Sequence, residues 1–222
     1  MARAGGMLAS VMGLVATASV AMGAALAVAA PAIYFSHATE AAQVTLARIN
    51  GITGSLTESR KVYAGLVDDA IRLRVTVDGT LSGYTRIAGA VAELGGTATQ
   101  ARQINEIVLA TAKASGIAAD EAAAAARQFA QALGSGVLQG DELRSIMENN
   151  QELARQLARG LNVSVSELRK MGAEGALTAD IVANALLGRL PEIRAKLADV
   201  PLTSADAWTK LTAVLSRWVL QG

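Results

Sequence analysis

The chain of 222 residues has no cysteine and one histidine, His37. Without cysteine there are no disulfides, no thiolate zinc or iron–sulfur ligation and no thiol nucleophile. A single histidine leaves no His-pair metal site and no pair of imidazoles for acid–base work. Aromatic residues are 3% of the chain although hydrophobic residues are 52%. The apolar content therefore rests mainly on alanine, with leucine and valine behind it. An alanine core removes little surface from water per side chain. It favours helices that approach closely over a sandwich or barrel of β-branched and aromatic residues. A charge excess is missing too: 20 basic and 19 acidic side chains leave +1. That balance argues against a strong electrostatic mode of nucleic-acid binding.

The apolar residues are unevenly spread. Between Arg3 and Glu40 there is no Asp, Glu, Lys or Arg. Within that stretch, Met7 to Ile33 would form a helix of roughly 40 Å, longer than the roughly 30 Å hydrocarbon core of a bilayer. Three readings stand side by side. One is a cleaved signal peptide, with Arg3 as its basic start and Ala27-Val28-Ala29 as its small-residue cleavage site. Another is an uncleaved membrane helix whose small residues Gly13, Ala16 and Ala24 suit helix–helix contact. The third is an alanine-rich helix buried against protein.

From Glu40 onward the pattern is one of short helices broken by glycine and proline. Ser55 to Glu58 reads as a capping box ahead of Val62, Leu66 and Leu73. Residues 74–78 look like a strand but are too short to stand alone, so they read as a connection. Further helices are expected over 84–94, 99–115 and 119–133, with Gly95-Gly96, Gly116 and Gly134-Ser135-Gly136 as their stops. Asp141 is expected to cap the next helix, Ser164 and Thr178 two later ones, and Pro191 and Pro201 to mark breaks. Ile181, Val182, Ala185 and Leu186 are expected on one face, and a last helix is expected from Ser204. The expected fold is all-α, with an apolar candidate membrane helix within 1–39 and a multi-helix domain over 40–222.

Chemistry is scarce. The acidic pairs Asp68-Asp69, Asp120-Glu121 and Asp141-Glu142 are adjacent in sequence, so on a helix their side chains diverge by about 100°. Capping or solvation accounts for them better than convergent acid–base catalysis. Gly134-Ser135-Gly136 with Gly140 lacks the Gly-Lys-Ser/Thr ending of a phosphate loop. No serine sits in a G-x-S-x-G elbow. The residues supply no enzymatic constellation, no cofactor site and no metal site.

Residues 129–187 are more specific. Gln131, Leu133, Ser135, Gly136, Leu138 and Gly140 lead into Asp141, Glu142, Leu143, Ser145 and Glu148. A second run holds Ser164, Glu167, Leu168, Arg169, Met171, Gly172, Gly175 and Thr178. The order and spacing resemble the N-terminal domain of tape measure proteins of tailed bacteriophages and prophages. That family's pattern runs Q-A-L-x-S-G-x-L-x-G-[DE]-E-L-x-S-[IL]-x-E, then S-x-x-E-L-[RK]-x-[ML]-G-x-x-G-x-[LI]-T. Tyr84 to Ile87 and Ala112 to Gly116 resemble its upstream elements. The glycines fall where a helix ends or a tight turn is needed, so the motif reads as a folding signature.

The resemblance implies a structural role: a largely helical ruler that fills the tail tube, sets tail length and later assists DNA across the host inner membrane. It implies a tail tube protein, tail assembly chaperones and tail-tip proteins as partners, with self-association also open. It implies a place in the virion tail, assembled in the host cytoplasm, with the host inner membrane as a later, single-pass location. A fully helical chain of this length would span only about 330 Å, so the sequence reads as the N-terminal piece of such a ruler. A different class is also open: a membrane-anchored or secreted bacterial helical interaction protein without catalytic activity.

Overall fold

Capping side chains divide the chain into its helices. The computed structural model describes residues 43–198 together with Thr203, Asp206 and Thr209. Residues 43–53 are helical (α1). They are followed by α2 (Leu56–Leu73), α3 (Val77–Glu93), α4 (Ala98–Ala114) and α5 (Ala119–Gly134). Shorter helices come next: α6 (Gly140–Asn149), α7 (Gln151–Gly160), α8 (Val165–Ala173), α9 (Ala179–Leu187) and α10 (Leu190–Ala198). Ser55, Thr76, Thr97, Ser164 and Thr178 each accept a backbone N–H at the start of a helix. Such caps satisfy donors that the helix itself leaves open.

The described helices belong to a compact unit that begins at Val44. At its centre lies α4, which touches α2, α3, α5, α7, α9 and α10. Every residue from Ile104 to Ala112 is buried, so α4 has no solvent face over that stretch. A helix surrounded in this way belongs to a core. The most extensive pairing is between α3 and α5, and small residues make it possible. A Cβ added to Gly79 would come within 2.7 Å of the Ala123 Cβ, and one added to Gly83 within 3.1 Å of the Ala126 Cβ. Phe129 and Tyr84 fill the larger gaps and are fully buried.

Several expectations change. Helix α3 starts at Val77, seven residues before Tyr84, because Thr76 caps it and its glycines Gly79 and Gly83 lie against α5. Glycine costs a helix about 1 kcal/mol relative to alanine, and close packing offsets that cost here. Asp141 is not a cap: Gln139 holds that position, with its N–H donating to the Glu142 carboxylate at 3.0 Å. Pro191 does not break a helix but sits in the first turn of α10, where its missing N–H has no helical partner to lose. Ile181 is 39% exposed while Val182, Ala185 and Leu186 are buried, so the expected face of α9 is rotated away from Ile181. Met7 to Ile33, His37 and most of the expected last helix lie outside the described residues. Among the described residues, no helix is long and apolar enough to cross a membrane.

Two glycines on α3 should respond oppositely to alanine. At Gly83 the new Cβ would lie 2.6 Å from the Asn105 Oδ1, whereas Gly89 has nothing within 4 Å. Gly83→Ala should destabilise by about 1–3 kcal/mol through overpacking. Gly89→Ala should stabilise by about 0.4–1 kcal/mol through helix propensity. Chemical denaturation of both variants measures the two signs.

Candidate functional site

The two motif runs, far apart in sequence, meet in space. Val137 and Thr178 form an isolated antiparallel bridge. The Leu138 N–H donates to the Leu177 carbonyl at 2.7 Å, and the Ala179 N–H to the Gly136 carbonyl at 2.9 Å. Both leucines are buried. Gly136 and Gly175 have φ of +82° and +67°, which steer the chain into the bridge from either side. The Ser135 hydroxyl lies 2.7 Å from the Ala132 carbonyl and 3.0 Å from that of Val137, linking the end of α5 to the bridge. Gln131 accepts the Ser135 N–H, and Leu133 that of Gly136. Thr178 has two tasks: its backbone forms the bridge and its hydroxyl caps α9.

Downstream, α6 packs against α8. Leu143 is buried, and a Cβ on Gly172 would meet the Leu143 Cδ2 at 2.7 Å. Gly140 lies opposite Ala173. Leu168 is fully buried beside its capping residue Ser164, which accepts the Glu167 N–H at 3.0 Å. The Met171 carbonyl accepts the Ala176 N–H and turns the chain after α8. Ser145 receives the Asn149 side-chain amide on the exposed side. Most of the nineteen motif residues therefore act in local folding. Asp141, Glu148 and Arg169 do not, and they line an open groove of about 840 Å³ with Arg144, Met147 and Val165. Arg144 pairs with Glu148 at 3.3 Å on its rim.

Three residues outside the motif reading are as important. Asn150 is the single residue between α6 and α7 and is buried. Its amide donates to the Thr111 hydroxyl at 3.1 Å and its oxygen accepts the Leu153 N–H at 3.1 Å, so it pins the elbow to α4 while capping α7. An asparagine directly before a helical run was the available signal. Gly160 permits backbone contact between α7 and α9: a Cβ there would meet the Ala185 carbonyl oxygen at 2.3 Å. Asp69, read as solvated, is instead buried, with Arg72 at 2.7 Å and Arg102 at 2.7 Å.

Among the described residues, Asp69 is one of four buried carboxylates with cationic partners. Glu106 receives a two-bond fork from Arg194 at 2.6 and 2.8 Å and lies 2.9 Å from Arg72. Glu152 accepts from Lys196 at 2.7 Å and from Gln156 and Arg155 at 2.8 Å each. Asp206 accepts from Lys113 and from the Thr203 N–H. Burial pushes the Glu152 carboxyl up, but its three donors outweigh burial and bring its pKa down to about 2. Burial opposes ionisation of Glu106 and Asp206 too, and their donors again hold both below the ordinary carboxylate range. Burial, with a lesser push from the Glu58 charge, raises the Tyr84 phenol to about 12 against an opposing pull from Arg102. A carboxylate saturated by fixed cations is a poor proton donor or acceptor near neutrality. None of these four lines the groove. Among the described residues, no group of His, Cys, Asp or Glu could hold a metal ion.

Two outcomes follow from this geometry. Gly172→Ala should cost about 1–3 kcal/mol, because the buried Leu143 must move; thermal or chemical unfolding reads the loss. The depressed folded pKa of Glu152 means that its stabilisation is present above the unfolded value near 4.5 and fades as pH falls toward about 2. Glu152→Gln should lower stability at neutral pH by about 1–3 kcal/mol. It should also flatten the fall in stability between about pH 5 and pH 2, as measured by denaturant titration at each pH.

No curated protein and no solved structure matches the chain. A family model described as tape measure protein matches residues 35–221, which include both motif runs and the bridge that joins them. The chain belongs to the tape measure protein family, structural proteins of phage tails.

Proposed function

We propose that this domain is the N-terminal assembly module of a tail-length ruler. The ruler as a whole would occupy the tail tube and fix its length, and this module would engage the proteins that start or terminate tube growth. The observation that supports the reading most is the family match over residues 35–221. The junction of the two motif runs agrees with it, because the residues shared with the family pattern build a scaffold. On this reading the groove on α6–α8, with Arg144, Glu148 and Arg169 at its lining, faces a tail tube protein, an assembly chaperone or a tail-tip protein. The charge-free Met7–Ile33 run suits a segment sheathed during assembly and freed on infection to enter the host inner membrane, where the ruler would aid DNA passage.

The test is genetic and structural at once. In a phage carrying this domain, Arg144→Glu with Arg169→Glu should leave the purified domain folded, since both side chains are exposed. Full-length tails counted by electron microscopy should drop about tenfold or more, the scale expected when an interface loses a hot spot. In-frame lengthening of the ruler downstream should lengthen the tails in proportion. Normal tail number in the double variant would remove the groove from assembly. Unchanged tail length after lengthening would remove the ruler role.

A further inference from the structure

The hold of α10 on the rest of the bundle differs from the holds within it. Its buried Leu190, Ile193 and Leu197 form one apolar stripe, and α4 is the helix it packs against most. Its cations reach outward from that stripe, Arg194 to Glu106 on α4 and Lys196 to Glu152 on α7. Breaking a buried ion pair is ordinarily costly because the departing partner strands the other charge. Here it would strand neither carboxylate. Glu106 keeps Arg72 from α2, and Glu152 keeps Arg155 and Gln156 from its own helix. The departing cations are half in water already, with Arg194 51% and Lys196 49% exposed.

Two more features point the same way. Helix α10 has nine residues, too few to persist as a helix away from its support, so detachment would release backbone entropy. Its link to α9 is only Gly188 and Arg189, and Gly188 has no atom nearer than 3.7 Å to an added Cβ. Past α10, Lys113 on α4 holds Asp206, and Thr203 and Asp206 cap one another. The chain is thus fastened to α4 on the far side of the helix as well. We propose that α10 is a releasable strap: it lifts from α4 as a unit while α2–α9 stay folded, and it uncovers a furrow floored by Glu106 and Glu152. Asp206 keeps the lifted segment tethered, so closure is intramolecular and repeatable.

Native-state hydrogen exchange on the full chain at neutral pH, across low denaturant concentrations, tests the strap. The α10 amides should exchange together, with protection about 100-fold or more below that of Ile104–Ala112 and with little dependence on denaturant. Leu133→Ala, a cut in α5 that weakens the closed and strap-open forms alike, should lower the protection of Ile104–Ala112 by a factor of about 30 or more and leave that of α10 unchanged. Equal protection and equal denaturant dependence in α10 and α4 would overturn the proposal. So would a Leu133→Ala variant that loses protection equally in both helices.

Discussion

A helix with no solvent face must find a partner for each of its polar side chains inside the protein, and α4 is such a helix. Asn105, Glu106 and Thr111 are all within its buried stretch. Their partners come from different neighbours: the Thr80 carbonyl on α3, Arg72 on α2, Arg194 on α10 and Asn150 at the α6–α7 elbow. Apolar packing alone lets a helix slide by a turn at modest cost. A buried polar group without its partner costs far more. The registers of α2, α3, α7 and α10 are therefore set by a named polar contact as well as by volume.

Alanine and glycine complete the arrangement. A domain poor in aromatics cannot reach across wide gaps between helices, so its helices come close instead. Gly79 and Gly83 bring α3 onto α5, Gly160 brings α7 onto the backbone of α9, and Gly172 seats α8 over Leu143. Dispersion contacts accumulate at short range, which makes up in number of contacts what small side chains lack in area. Among the described residues, the largest fully buried side chains are Tyr84 on α3 and Phe129 on α5, so the most extensive helix pairing also carries the two bulkiest groups of the core.

Much of the fold was legible because the governing signals were local. Capping residues and glycine stops placed α2, α4, α5, α8 and α9 nearly as they stand. What escaped was long-range. Nothing near Val77 announces that Gly79 and Gly83 face Ala123 and Ala126 more than forty positions away. Asp69 reads as half of a surface acidic pair until Arg102 arrives beside it. The candidate site behaved the same way: its motif residues were recognisable in order, but their convergence depends on a bridge between backbone groups. Backbone groups carry no residue type for a pattern to detect.

The Val137–Thr178 bridge has a kinetic side. It joins the two ends of the excursion that contains α6, α7 and α8, closing a loop of about forty residues. Loop-closure entropy must be met before such distant contacts stabilise anything, and the bridge carries that cost on a par with the α3–α5 contacts, whose partners are also more than forty positions apart. The same logarithmic dependence makes added length inexpensive, since doubling a flexible loop costs only about 0.6 kcal/mol. With its base stapled at Gly136–Leu138 and Leu177–Ala179, the excursion can best absorb insertions over evolutionary time at the turn around exposed Asn162 between α7 and α8, away from the Asn150 elbow that is pinned to α4.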